Sequence, residues 1–316
     1  MADWLVDVDE PYDDWVYGMN GNKQRQSRFL VRHNIANPPL CSDCGHFCSA
    51  RHISNERELK RNKLPFRWRC ANPQCTDETF NFLTDSFISN GKLDTFKYIQ
   101  LLYKFYLKQD AKTAARQLHI NHNTVKKFFA FFRECISKYM QDEWYPSFQF
   151  DVSDVLEYDE ANLARKHKHH RGNRTEPVWV LGGTARQSQY VKFDVVDDRT
   201  RPTLHDLILD VAPLGSTVVT DGWRAYMGLS DYGIAHWTVN HARTFVDPWS
   251  QQHTNTIEGL WALIRCDLRS LRGIKHNTLQ AHLDVFAFRR NLRNTPEGLW
   301  SKMCCVIGAM QGRVIV

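Results

Sequence analysis

The pattern of apolar and polar positions changes character near residue 150. Before that point apolar residues recur at helical spacing. Val125, Phe128, Phe129 and Phe132 follow i, i+3, i+4, i+7 and bury one face of a helix, and Ala114, Ala115 and Leu118 pack the helix before it. Beyond residue 150 short β-branched and apolar runs take over. Strands are expected at 154–159, 177–185, 190–196, 216–220 and 236–240. Helices are expected at 203–211, 223–229, 254–271 and 278–292. In the third of these helices Ile257, Leu260, Trp261, Ile264, Leu268 and Leu271 form the buried stripe. Three strands followed by alternating helix and strand predict an α/β domain.

Between the N-terminus and the helical region, Phe66, Trp68, Phe80 and Phe82 alternate as on short ribbon strands. Two cysteine knuckles flank this segment, Cys41-Ser-Asp-Cys44 and Cys70-Ala-Asn-Pro-Gln-Cys75. Four thiolates at about 2.3 Å make a closed structural Zn²⁺ site. The second knuckle and the linker are wider than the commonest spacing, and His46 and Cys48 compete for one ligand position. Reduced core cysteines are the alternative. Cys135, Cys266, Cys304 and Cys305 fall on helical patterns and read as core or surface thiols. Nine cysteines in a chain of 316 residues suit reduced thiols or a metal site inside the cell rather than a disulfide scaffold.

These patterns suggest five segments. Residues 1–37 are an acidic arm and a short basic helix, 38–90 a zinc ribbon, and 91–149 a helical region. Residues 150–295 form the α/β domain and 296–316 a tail helix. In the helical region, residues 112–125 have helix-turn-helix spacing with Asn121 at the turn. That leaves Asn123, Thr124, Lys126 and Lys127 facing outward near the start of the second helix, where a recognition helix meets bases and phosphates. A plain helical hairpin fits the same pattern.

The net charge is +6, yet residues 1–20 carry Asp3, Asp7, Asp9, Glu10, Asp13 and Asp14 and no Lys or Arg, so the remainder is more basic still. A polyanionic partner is expected. No apolar run approaches the roughly 18–20 residues that span a bilayer. The 160–176 connection holds Arg165, Lys166, Lys168, Arg171 and Arg174, interleaved with His167, His169 and His170. It reads as a DNA-contacting hairpin, with a solvated charge run and a His-rich metal site as alternatives.

Three acids carry the candidate chemistry. Asp159 and Asp221 end two of the expected strands, each carboxylate projecting from a strand's last residue, and Glu258 opens the amphipathic helix. This is the layout of a DDE centre on a ribonuclease-H-like sheet. Carboxylates gathered at one point repel one another unless divalent cations lie between them. Two Mg²⁺ or Mn²⁺ ions there activate water and stabilise the leaving oxygen of a phosphodiester. On the helical wheel, Glu258, Arg265 and Arg269 share a face, which suits metals beside a phosphate backbone. An isolated surface glutamate is the competing reading.

Taken in order, residues 38–295 resemble the Merlin-type DDE transposases of eukaryotic DNA transposons and their bacterial insertion-sequence relatives. The resemblance is carried by the knuckle pair, Thr84-Asp-Ser-Phe-Ile88, the helix-turn-helix, Glu157-Tyr-Asp-Glu160 and Thr220-Asp-Gly222 with Tyr226. It continues through Val239-Asn-His241, His253-Thr-Asn255-Thr-Ile-Glu258 and Phe286-Ala-Phe-Arg289-Arg-Asn291. It implies catalytic roles for Asp159, Asp221 and Glu258, and supporting roles near the metals for His241, His253 and Asn255. The loop after Glu160 lacks the glycine-rich opening of bacterial members. Some of those members use Asn as the third ligand, which makes Asn255 a competitor to Glu258. An anionic ligand better offsets two cations.

The expected function is cut-and-paste transposition: binding of terminal inverted repeats, hydrolysis at the transposon ends, and joining of the 3′-hydroxyls to target DNA. Two ends held at once imply at least a homodimer. A eukaryotic host implies the nucleus, a bacterial one the nucleoid. The alternatives are a domesticated transposase acting as a DNA-binding factor and a structure-specific nuclease.

Overall fold

The first regular element is α1 (Lys23–Arg32), capped by the Asn22 side chain, which accepts from Arg25 N at 3.0 Å. The computed structural model describes residues 16, 18–61, 63–75, 79–89, 91–163, 177–239, 253–269 and 276–314. The chain divides into two units, Met1–Ile136 with Thr295–Val316 and Ser137–Asn294. No described helix is long and apolar enough to cross a membrane.

In the first unit, β1 (Cys48–His52), α2 (Glu56–Arg61), β2 (Phe66–Cys70) and β3 (Thr79–Asn81) follow α1. The strands pair antiparallel in sequence order, with Cys48 opposite Cys70 and Trp68 opposite Phe80. Trp68 is buried, stacks on Phe82 at 4.8 Å between centroids, and donates its indole N–H to Phe82 O at 3.0 Å. That one side chain closes so small a sheet by satisfying both its apolar face and its polar edge.

Three helices come next, α3 (Thr95–Tyr106), α4 (Ala111–Leu118) and α5 (His122–Tyr139). Asp110 caps α4 by accepting from Lys112 N and Thr113 N, both at 3.0 Å. His119 leaves α4 in the left-handed conformation at φ 52°, and Asn121 accepts from Asn123 N at 2.8 Å to start α5. The expected turn is therefore present, with its reversal at His119 and its cap at Asn121. Ala114, Ala115, Leu118, Val125, Phe129 and Phe132 are buried and Phe128 is half-buried.

The second unit takes the last residues of α5 and then a five-stranded sheet. Its elements are β4 (Val155–Asn162), β5 (Trp179–Ala185), β6 (Val191–Val196), α6 (Arg201–Val211), β7 (Thr217–Asp221), β8 (Ala235–Val239), α7 (Asn255–Arg269) and α8 (His276–Asn291). The strand order is β6-β5-β4-β7-β8. β5 is antiparallel to both β4 and β6, while β7 runs parallel to β4 and β8 parallel to β7. This mixed sheet belongs to an α/β fold, as expected from the alternation of strands and helices.

Two local expectations need correcting. β4 does not end at Asp159, because its pairing with β5 continues from Asp159↔Gly182 to Asn162↔Trp179. Asp221 is the last residue of β7, as expected. The helix expected over 223–229 is two short 3₁₀ turns, Arg224–Tyr226 and Leu229–Tyr232. Gly228 and Gly233 break it with φ of +94° and +78°.

The outer strand β6 is covered by side-chain amides of α8. Gln280 accepts from Val195 N at 2.9 Å and donates to Phe193 O at 2.8 Å. Asn291 accepts from Val191 N at 2.9 Å and donates to Val191 O at 2.8 Å. Two carboxamides thus stand in for a sixth strand and close an edge open to further pairing.

The chain then returns to the first unit as α9 (Gly298–Met310). Trp300 packs on Phe29 and Tyr103, and Gly308 lies so close to α1's exit that an added Cβ would stand 2.1 Å from His33 O. The segment expected as a tail is a packed part of this unit.

Candidate active site

Asp159 lies in the middle of the sheet on β4, directly opposite Gly182 on β5. A Cβ at position 182 would fall 2.6 Å from the Trp261 ring, so glycine is what lets this indole lie across the strand. From there Trp261 Nε1 donates to Asp159 Oδ2 at 3.0 Å. Asp221 sits at the end of the parallel neighbour β7, where its Oδ1 accepts from Trp223 N at 2.9 Å. Glu258 stands exposed in the first turn of α7.

The charges of the other two acids act on Asp159. Burial pushes the Asp159 carboxyl up to about 6, and the charges of Asp221 and Glu258 push the same way against the Trp261 hydrogen bond. A fourth acid, Glu160, rises to about 7, chiefly through burial, with Asp221 and Asp159 adding to it and Arg199 opposing. Tyr226 donates its hydroxyl to Glu160 Oε2 at 2.6 Å, while the buried Oε1 has no hydrogen-bond partner among the described residues. The oxygens of Asp159, Asp221 and Glu258 do not all fall within 4.8 Å of one another. Ligands for two ions about 3.5–4 Å apart need not share so small a sphere. Hard oxygen donors, a charge excess and a half-satisfied buried carboxylate suit divalent cations of the magnesium class.

Glu157 explains how Glu258 is placed. Its side chain is fully buried two residues before Asp159 and on the same strand face. It accepts from Thr256 N at 2.9 Å, Thr256 Oγ1 at 2.9 Å and Ile257 N at 3.0 Å, which are the unpaired donors at the start of α7. Arg186 Nε donates to Glu157 Oε1 at 2.6 Å and Arg186 Nη2 donates to His253 O at 2.5 Å. His253 Nδ1 lies 3.3 Å from Glu157 Oε1 without hydrogen-bond geometry. One carboxylate therefore fixes the strand of Asp159 to the helix of Glu258.

The remaining expected residues divide. Asn255 is the exposed first residue of α7, and Arg265 and Arg269 are exposed further along it. Ile257, Leu260, Trp261 and Ile264 are buried as the stripe requires, Leu268 is half-buried, and Leu271 lies outside the described residues. His241 and the basic stretch with Arg165, Lys166, Lys168, Arg171 and Arg174 also lie outside them. In the first unit Asn123, Lys126 and Lys127 are exposed and Thr124 is half-exposed.

From the sequence, Glu157, Glu160 and Tyr226 have no role beside the acids, and Trp261 has only a place in the buried stripe. For Glu157 the signal was a glutamate at an inward position of a β-branched and apolar strand. For Trp261 it was an indole N–H on a stripe otherwise free of polar atoms.

In the first unit the thiols of Cys41, Cys44, Cys70 and Cys75 all lie within 4.8 Å of one another. Cys41 and Cys75 are 3.6 Å apart and Cys44 and Cys70 are 3.4 Å apart, near the roughly 3.8 Å edge of a tetrahedron of sulfurs at about 2.3 Å from an ion. The His46 backbone N–H and the neighbouring thiols bring the Cys44 thiol down to about 6. His46 and Cys48 are not part of the group. The donor set fits one tetrahedral Zn²⁺. Cys135 and Cys304 are buried, Cys305 is half-buried and Cys266 is exposed.

Residues 152–291 match the ISXO2-like transposase domain. The match covers the sheet through the end of α8, with Asp159, Asp221 and Glu258 inside it. It supports a DDE transposase family and a transposase-type DNA-processing function. No curated protein matches the chain. Among solved structures, the HTLV-2 integrase catalytic core domain in complex with magnesium (trimeric form) is 12% identical, with 48% of this chain and 94% of that chain covered and a TM-score of 0.30. A likeness at that score carries no argument.

Proposed function

We propose that the protein is a cut-and-paste DNA transposase of the Merlin type, with Asp159, Asp221 and Glu258 as its catalytic acids. What supports this reading is that Asp159 on β4 is near enough to Asp221 on β7 and Glu258 on α7 for their charges to raise its proton affinity. Asp159, Asp221 and Glu258 would hold two divalent cations, whose chemistry would be to activate a water at neutral pH and stabilise the leaving oxygen of a phosphodiester. The chain's own part is to hold the acids in register. Trp261 orients Asp159, the Trp223 amide orients Asp221, and Glu157 fixes the helix that presents Glu258. Asn255 and His253 border the same helix start, and His241 belongs to the same motif series.

The cysteine cluster would hold one structural Zn²⁺. With Asn123, Thr124, Lys126 and Lys127 on α5, it would engage terminal inverted repeats in double-stranded DNA. Arg265 and Arg269, with the basic 165–174 stretch, would follow the DNA backbone. Hydrolysis and joining are both attacks by an oxygen nucleophile on a phosphodiester, so one set of acids serves both. Two ends require a homodimer or larger assembly, acting in the nucleus of a eukaryotic host. End DNA, a target plasmid and Mg²⁺ or Mn²⁺ test the reading. Joined product supports it, cleavage without joining indicates a nuclease, and binding alone indicates a domesticated DNA-binding factor.

A further inference from the structure

Arg199 follows β6 on the turn into α6 and is half-exposed. The turn is stiff, since Asp198 Oδ1 accepts from Thr200 N at 2.9 Å and from Thr203 Oγ1 at 2.7 Å. From it the guanidinium reaches over Trp179, with its carbon 3.5 Å from the ring centroid, and lies 5.2 Å from the ring of Trp223. Trp223 is 41% exposed and is the residue whose amide holds the Asp221 carboxylate. Arg199 is also near enough to Glu160 for its charge to act there. The pair of indoles and the cation thus border the acid cluster directly.

This arrangement leaves unused what a nucleotide needs. A guanidinium laid against an indole spends its face on the ring and keeps its N–H donors in the plane. Among the described residues no hydrogen bond or ion pair engages those donors. Holding the side chain flat also removes rotamer freedom that would otherwise be lost on binding. The exposed indole of Trp223 offers an aromatic surface two residues from a catalytic acid. A fork of donors for phosphate beside a platform for a base is the pairing by which single-stranded nucleic acid is held.

We infer that Trp179, Arg199 and Trp223 form a binding site for the unpaired nucleotide next to the scissile phosphodiester, with Arg199 on its phosphate and Trp223 stacked on its base. This rests on the transposase reading above, and it adds a subsite that holds the strand end during cleavage and joining.

The test uses the zinc-loaded full chain without added Mg²⁺ or Mn²⁺, so that binding is read apart from chemistry. The probe is a short fluorescent duplex with a single-stranded thymidine overhang, compared with the same duplex carrying abasic overhang positions. Wild type is expected to bind the intact overhang more tightly than the abasic one. Trp223→Ala should weaken binding to the intact overhang by roughly 10-fold and make abasic substitution silent. Trp223→Phe should restore most of the preference. Arg199→Ala should lower the salt slope of binding by about 1, the loss of one phosphate contact, while Arg199→Lys keeps the slope and loses affinity. Thermal melts accompany each variant. The phenylalanine and lysine variants preserve the packing, so the result does not hang on the alanine variants folding.

If Trp223→Ala is as sensitive to abasic substitution as wild type, or Arg199→Ala keeps the full slope, the subsite is wrong while the transposase reading stands. If polyglutamate competes as well as DNA, the stack serves an acidic protein partner instead. A wild type that binds neither duplex overturns both readings.

Discussion

The two candidate metal centres are built in opposite ways. The cysteine cluster is local, with two knuckles at the ends of one small sheet and all four thiols within 4.8 Å. Its ligands are also its scaffold. The acid cluster draws on β4, β7 and α7, and its acids depend on residues that touch no metal: Glu157, Trp261, Tyr226 and the Trp223 amide. A structural ion can be gripped by a hairpin. A centre that must keep positions open for water and substrate needs its ligands fixed from behind.

The sharpest way to break this comparison is at Glu157. Its buried carboxylate joins Arg186 to the start of α7, and removing one partner from a buried charged network costs about 3–5 kcal/mol. Glu157→Ala should destabilise the second unit by that order in urea denaturation. Glu157→Gln should cost less yet still impair cleavage, through displacement of Glu258. Wild-type stability for Glu157→Ala would show that the network is incidental.

In the first unit the corresponding change is Cys44→Ser. About one Zn²⁺ per chain should be found by metal analysis of wild type, and the variant should lose it together with the ribbon's fold. A folded, zinc-free wild type would reduce the cluster to four neighbouring thiols.

A smaller effect separates the centres by pH. Asp159 and Glu160 hold their protons to about 6 and about 7 in the folded chain, against roughly 3.9 and 4.3 when unfolded. Their protonated forms therefore favour the fold below about pH 4, and that contribution fades as the pH rises through about 6 and 7. Divalent cations need the ionised acids, so Mn²⁺ should raise the melting temperature near pH 8 and hardly at all near pH 5. Asp159→Asn should flatten both dependences. A Mn²⁺ response equal at both pH values would contradict the assignment of these acids.

The mildest change is on α5. Replacing Lys126 and Lys127 together by Ala should leave folding intact and reduce the salt slope of end binding by about 2, at about 0.9 per phosphate contact. An unchanged slope would move end recognition to other basic residues.

What could be read in the sequence follows the same division. The cysteine pairs, the α4–α5 hairpin and the succession of strands and helices along the chain are set by short-range spacing and periodicity, and those are visible in a linear chain. Asp221 and Glu258 stood out by their places at a strand's end and a helix's start, whereas the strand of Asp159 runs on to Asn162. Their supports did not stand out. Nothing in the spacing of Glu157 and Thr256 indicates a bond between residues 99 positions apart. That Gly182 makes room for Trp261 depends on β-sheet register, which alternation alone leaves free by two residues. The failed helix at 223–229 has a similar cause. Gly228 falls inside the expected span but takes a left-handed backbone.

Glu258, presented by the helix that Glu157 anchors, is the proposed third catalytic acid. The most direct measurement is end cleavage in Mg²⁺ by wild type, Glu258→Gln and Asn255→Ala, with DNA binding measured in parallel. Glu258→Gln keeps the shape and removes one negative charge from the site. Binding should survive while cleavage falls by at least roughly 100-fold, and Asn255→Ala should be milder. Normal cleavage by Glu258→Gln together with an inactive Asn255→Ala would contradict the account and place Asn255 in the third position.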